Sequence, residues 1–190
     1  MITSSIFEKT IDFKLGYDIA DRINANTTIV NFPTGYTILH QGEKSSCFFL
    51  IIQGIVRGYY IDDNGNDITK CFRSEGEFFS TEGFRTCKES SFTIECLESC
   101  RLIKFPYNLV RELSETDDRI SALVSRLYLE EVGNLEIQIK NHVLMDAEER
   151  YNYFCKQYPQ LHKRLPLKYI ASYIGIQAAS LSRIRKNQKK

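Results

Sequence analysis

Leu167-Lys168-Tyr169-Ile170-Ala171-Ser172-Tyr173-Ile174-Gly175-Ile176, with Leu181-Ser182-Arg183-Ile184-Arg185-Lys186 after it, has the spacing of two short helices joined by a tight turn. Ile170 and Ala171 fall on one face of the first helix, and the small alanine lets a second helix cross closely. Gly175 sits in the turn, where a positive φ costs glycine least. Ile176 closes the corner, and Leu181 and Ile184 face back to the first helix at a spacing of three. Gln177, Ala178, Ser180, Ser182, Arg183 and Lys186 are left projecting outward. In a helix-turn-helix the outward N-terminal part of the second helix enters the major groove. Its free N–H groups also attract phosphate. Arg183, Arg185 and Lys186 are therefore the candidate DNA cations, and the planar fork of Arg183 suits a guanine edge or a phosphate. Ser180 and Ser182 are candidate contacts to phosphate oxygens. Ala178 and Ala179 can touch only a thymine methyl, so base reading rests on Gln177, Ser180, Arg183 and DNA shape.

The charge distribution points to the same end. Residues 150–190 hold ten Lys or Arg and no Asp or Glu. The whole chain has 25 basic and 24 acidic residues, so residues 1–149 keep 15 basic against 24 acidic. A net −9 body and a net +10 end are hidden in a total of +1. Only the basic end is suited to a polyanion. Lys189 and Lys190 are read as a frayed end without a role.

Hydrophobic residues make up 43% of the chain, enough for a packed core. The longest apolar run, 47–52, is far short of the about 20 residues of a membrane helix. The first 13 residues lack a secretory apolar block, which predicts a cytoplasmic protein. Six cysteines, Cys47, Cys71, Cys87, Cys96, Cys100 and Cys155, form no C-x-x-C pair and read as reduced, packed thiols.

Upstream, residues 29–32, 36–40, 47–52, 55–61, 68–73, 92–97 and 101–105 are short and rich in Ile, Val, Phe and Tyr. Turn residues separate them, among them Asn64-Gly65, which suits the positive φ angles of a tight hairpin. Many short strands with glycine-bearing turns predict an antiparallel β-roll of jelly-roll type. Residues 7–24 read as weakly helical. After Pro106 the period becomes helical from Thr116, with Thr116-Asp117-Asp118 as cap and first turn. Ile120, Val124, Leu127, Tyr128, Val132, Leu135, Ile139 and Val143 form one stripe on a helix of about 28 residues. That stripe needs a covering surface, and a twin helix in a homodimer supplies one. The alternative is packing on the chain's own β domain. A further helix follows Asp146 and stops at Pro159. The expected class is α+β: a β-roll over 1–115, a dimerisation helix over 116–144, and a winged-helix-like helix-turn-helix over 145–190.

The helix-turn-helix stretch, together with Gly35-Tyr36-Thr37-Ile38-Leu39-His40-Gln41-Gly42 and Val56-Arg57-Gly58-Tyr59-Tyr60, resembles the Crp/Fnr-type transcriptional regulators over nearly the whole chain. The resemblance implies a homodimeric regulator that binds double-stranded DNA and works with RNA polymerase and a small-molecule effector. It also implies a cyclic-nucleotide-type pocket, where a Gly-Glu pair holds the ribose and an Arg-Ser or Arg-Thr pair holds the phosphate. Here the cassette is Gly76-Glu77-Phe78-Phe79-Ser80-Thr81-Glu82-Gly83, with Ser80-Thr81 in the Gly-Glu place, Glu82 one step away, and Ser90-Ser91 in the Arg-Ser place. A buried phosphate would lack its cationic partner, so cyclic AMP is not expected to bind in the usual mode. The pocket is left as empty, adapted to another ligand, or vestigial.

No cysteine precedes Cys47, and His40, His142 and His162 are scattered, so no iron–sulfur, haem or other metal site and no cofactor is expected. No catalytic constellation stands out, and Glu95 and Glu98 read as exposed strand-end residues. The competing expectation is a β-roll that binds a ligand or partner and carries a helix-turn-helix that no longer reads DNA.

Overall fold

A computed structural model describes residues 3–188 of the chain. The expected domain limits at residues 1 and 190, and Lys189 and Lys190, lie outside the described residues. The chain divides into two compact units, Met1–Gly58 with Phe72–Tyr128, and Tyr59–Cys71 with Leu129–Lys190.

The strands are β1 (Thr28–Phe32), β2 (Thr37–Leu39), β3 (Cys47–Gln53), β4 (Val56–Ile61), β5 (Asp67–Arg73), β6 (Phe78–Phe79), β7 (Thr93–Cys96) and β8 (Cys100–Pro106). They form two four-stranded sheets, in the orders β1-β8-β3-β6 and β2-β7-β4-β5. β8 pairs antiparallel with β1 (Thr28 opposite Lys104) and with β3 (Leu50 opposite Ile103). The seven strands expected from sequence each correspond to one of these. β6 escaped detection because two residues cannot carry a period. The Asn64-Gly65 turn differs from expectation: only Gly65 has a positive φ, of 78°. The Asp62 carboxylate closes the loop instead, accepting the N–H groups of Asn64 (2.9 Å) and Asn66 (2.8 Å). These bonds hold the Asp62 carboxyl below its usual pKa, with the Asn66 side chain contributing most.

Successive residues of β3 and β8 serve two cores. Phe49, Ile51, Cys100 and Leu102 pack with Val56, Phe92, Ile94 and Cys96. Leu50, Ile103 and Phe105 face the other way, against helices. Strands covered on both faces are apolar nearly throughout, which is why they read as continuous apolar runs. The helices on that face are α1 (Thr3–Ile11), α2 (Tyr17–Asn26), α4 (Tyr107–Thr116) and the start of α5 (Asp118–Leu144). A short α3 (Gly83–Thr86) lies between β6 and β7. The weak helix expected over 7–24 is two helices, broken at Asp12, which takes a φ of 59°. α4 was not expected, because Pro106 was read as a stop. It is the N-cap of α4, a position where a missing N–H is harmless.

α5 starts at Asp118, the last residue of the expected cap and first turn, while Thr116 ends α4. The Asp117 carboxylate accepts the Arg119 N–H (2.8 Å) and pairs with its guanidinium (2.6 Å). Ile120 was expected on a dimer stripe, but it is buried in the core with Leu123, and Leu127 packs against the same cluster. Helical periodicity reports an apolar face and not the surface that covers it. Further along the helix, Leu129, Val132, Leu135, Ile139 and Val143 remain exposed, Val132 at 51% and Ile139 at 65%.

In the second unit, α6 (Ala147–Gln157) opens with a capping box in which the Asp146 side chain accepts the Glu149 N–H and Glu149 returns the bond. A one-turn α7 (Leu161–Arg164) precedes α8 (Leu167–Tyr173) and α9 (Ala178–Asn187). Tyr151, Phe154, Leu161, Leu165, Ile170, Ala171, Ile174 and Leu181 are among the buried apolar residues here. Burial, then the neighbouring Cys155, push the Tyr151 phenol up to about 12. Among the described residues no helix is long and apolar enough to cross a membrane.

Candidate functional site

Two places carry the chemistry singled out in the sequence: the α3 cassette and the α8–α9 pair. Of the expected pocket residues, Gly76, Glu77, Phe78 and Phe79 build a turn and a core. Gly76 takes a φ of 81°, and its N–H donates to Ile51 O (2.9 Å). The Glu77 carboxylate accepts the Ser74 N–H at 2.7 Å. Phe78 meets Phe7 edge-on, and Phe79 stacks on Phe49 with ring centres 5.0 Å apart. Ser80 lies within 2.6 Å of the Tyr107 hydroxyl, which in turn donates to Ser45 Oγ at 2.8 Å.

Thr81, Ser90 and Ser91 are gathered around α3. Thr81 Oγ1 accepts the Gly83 N–H (3.2 Å). A side chain at Gly83 would bring its Cβ within 3.0 Å of the Lys88 carbonyl, so the turn is built closely around glycine. The Ser91 N–H donates to Glu82 Oε1 at 2.7 Å. Ser90 is buried, and its hydroxyl donates to Phe92 O at 2.7 Å. The Ser90 backbone exchanges bonds with Gly42 N–H and Glu43 O, both at 2.8 Å. The Phe84 ring plugs the side of this cassette, packed on Phe48 (4.6 Å), Tyr107 (4.9 Å) and Tyr128 (6.3 Å), with the Arg111 guanidinium 5.1 Å above it. The Tyr128 hydroxyl is buried and has no hydrogen-bond partner among the described residues. Burial and the nearby Tyr107 push its pKa up, against Arg85 and Arg111.

Sequence reasoning missed the partners of two carboxylates. Glu82 supplies the anion that Ser91 N–H holds, and no spacing rule marks such a bond. Glu95, read as an exposed strand-end residue, is half-buried and pairs with Arg57 at 2.7 Å. Arg57 is only 1% exposed, and a buried guanidinium left without a counter-charge would be strongly destabilising. Glu98 is half-buried as well. All six cysteines are free; Cys96 and Cys100 share a hydrogen bond that pushes the Cys96 thiol up and the Cys100 thiol down. Among the described residues no group of His, Cys, Asp or Glu could hold a metal ion.

The α8–α9 pair has the expected local geometry. The Gly175 N–H donates to Ser172 O (3.1 Å) and the Ile176 N–H to Ala171 O (3.0 Å). Gly175 takes a φ of 72°, and a Cβ there would meet the His142 ring at 3.1 Å. Arg150 holds the turn to α6 by donating to Ile174 O (2.8 Å) and Met145 O (2.6 Å). Leu181 is fully buried and Ile184 half-buried. Gln177, Ser182, Arg183, Arg185 and Lys186 are exposed, whereas Ser180 is half-buried. Arg183 and Lys186 make no hydrogen bond or ion pair with the described residues. Among the described residues no side chain caps α9, whose N-cap is Gln177.

Residues 29–117 match the cyclic nucleotide-binding domain family. The chain is similar to the cAMP-activated global transcriptional regulator CRP of Pasteurella multocida, with 25% identity over 64% of this chain and 59% of that protein. It spans little more than half the length of the curated relatives it matches. Among solved structures, FixK2 from Bradyrhizobium japonicum shares the fold with a TM-score of 0.79 at 15% identity, covering 86% of this chain and 84% of that one. The c-di-GMP responsive global regulator CLP of Xanthomonas campestris does so with a TM-score of 0.70 at 14% identity, covering 92% of each chain. A β domain that matches the cyclic nucleotide-binding family, followed along the chain by a long helix and two short helices joined by a tight turn, is the fold this chain shares with FixK2 and CLP, and it resembles the Crp/Fnr-type regulators.

Proposed function

We propose that this chain is a homodimeric DNA-binding transcriptional regulator whose α3 cassette does not take cyclic AMP in the usual mode. The observation that carries the DNA reading is the outer face of α9. Exposed Gln177, Ser182, Arg183, Arg185 and Lys186 stand on a buried apolar seam, in a segment free of acid. The seam fixes the helix, and the exposed cations await an anion. The exposed half of the α5 stripe, Val132, Leu135, Ile139 and Val143, supports pairing with a second copy.

Three features support the loss of cyclic AMP. Ser90 and Ser91 replace the cationic pair, Ser90 is buried and bonded to Phe92 O, and the Ser91 N–H is held by Glu82. The relatives differ in their effectors, cAMP in one case and c-di-GMP in another, so the fold leaves the effector open.

The test is a salt series of fluorescence anisotropy on a duplex selected by the chain from a random library. Affinity is expected to fall with salt by about 0.9 log unit per log of salt for each phosphate neutralised. Millimolar cyclic AMP is expected to change nothing. No binding at low salt would leave the β-roll as a ligand or partner module with a non-reading helix pair, an outcome for which exposed Ala178 and Ala179 are the motive.

A further inference from the structure

β5 is the outer strand of its sheet, with β4 on one side only. In an antiparallel strand, alternate residues turn both N–H and C=O to the same edge. An outer edge therefore offers a row of unpaired groups that proteins commonly cover. Asp67 and Thr69, two residues apart, meet a single side chain here. The Thr69 N–H donates to Ser172 Oγ at 2.8 Å, and the Ser172 hydroxyl donates to Asp67 O at 3.3 Å. Next along β5, Lys70 Nζ meets Glu131 Oε1 of α5 at 2.6 Å, with both side chains largely shielded from solvent. Burial works against the Lys70 charge, but Cys71, Glu131 and Tyr60 outweigh it and hold its pKa above the usual lysine value. All these residues lie within the second compact unit.

Ser172 stands on α8 opposite the face that packs α9, where Ile170, Ala171 and Ile174 are buried. α8 is only seven residues long. Isolated helices under about 12–15 residues are marginal in water, so α8 takes its position from its neighbours. α9 packs on one side and the β5 edge on the other.

We propose that the β5 edge is the seat of α8, that Ser172 is a positioning residue with the Lys70–Glu131 pair as its second anchor, and that this seat raises DNA affinity. The proposal rests on the DNA reading above. A reader that wanders among orientations binds with an affinity reduced by the fraction in the competent one. The seat raises that fraction without touching DNA.

The test uses the full-length chain. Amide exchange at Thr69, followed by NMR without DNA, is expected to quicken at least tenfold in Ser172→Ala and to stay slow in Ser172→Thr, which keeps the hydroxyl. Ser172→Ala should also weaken binding to the selected duplex about five- to tenfold, the weight of roughly one hydrogen bond. Lys70→Glu should weaken it too, and Lys70→Glu with Glu131→Lys should restore it. Unchanged Thr69 exchange in Ser172→Ala overturns the seat. Faster exchange with unchanged or tighter DNA binding overturns the positioning role. A wild-type chain that binds no DNA sinks the DNA reading and the positioning role together, while the exchange result still decides the seat.

Discussion

The α3 cassette and α9 are both short polar stretches, and they treat their polar groups in opposite ways. Around α3 the groups close on one another: Ser91 N–H on Glu82, Ser90 on Phe92 O, Gly83 N–H on Thr81. Along α9 the cations Arg183 and Lys186 are exposed and meet no described partner. A group bonded within its own chain must lose that bond before it can serve a ligand, whereas a solvated cation surrenders only water and counterions. The difference locates the open chemistry of this molecule at its basic end.

The comparison breaks most readily at α9. Replacing Arg183 and Lys186 together by alanine should lower affinity for the selected duplex by one to three decades. One bidentate base contact is worth about 1–3 kcal/mol, and each lost phosphate contact flattens the salt slope by about 0.9. A double variant that keeps its affinity and slope would show that the exposed cations are merely a solvated face.

The seam under that face is a separate matter. Leu181 is fully buried between α8 and α9, and Leu181→Ala should destabilise the fold by about 2–5 kcal/mol. Chemical denaturation followed by circular dichroism reads it. A loss well under 1 kcal/mol would mean that α9 is not held by this residue, and the contrast between a fixed reader and a closed cassette would weaken. The two variants also separate kinds of damage: the first should leave the unfolding midpoint in place, and the second should shift it.

Much of this could be read from the chain because the signal was local. The strands declared themselves through Ile, Val and Phe between glycine turns, and the α8–α9 seam through Ile170, Ala171, Leu181 and Ile184. What escaped was relational. Pro106 looks the same whether it stops a strand or starts a helix. Ile120 has the same period whether its own domain or a twin covers it. Glu95 resembles any exposed acid until Arg57 is found buried beside it. Ser172 and Thr69 are 103 residues apart and neither is unusual alone, so no pattern along the chain joins them.

The smallest expected effect falls in the cassette. Glu82→Gln keeps an acceptor oxygen for the Ser91 N–H and removes the charge, while Glu82→Ala removes both. A charge-assisted bond is stronger than a neutral one, yet Ser91 is exposed, so solvent screens much of the difference. Stability should therefore fall by a few tenths of a kcal/mol in the glutamine variant and by about 1 kcal/mol in the alanine variant. Neither should acquire cyclic AMP binding by calorimetry, because freeing one N–H does not supply the missing cation. If Glu82→Ala alone bound cyclic AMP, the carboxylate would be a removable lid on a working pocket. The cassette would then belong with α9, as a place held open for a partner.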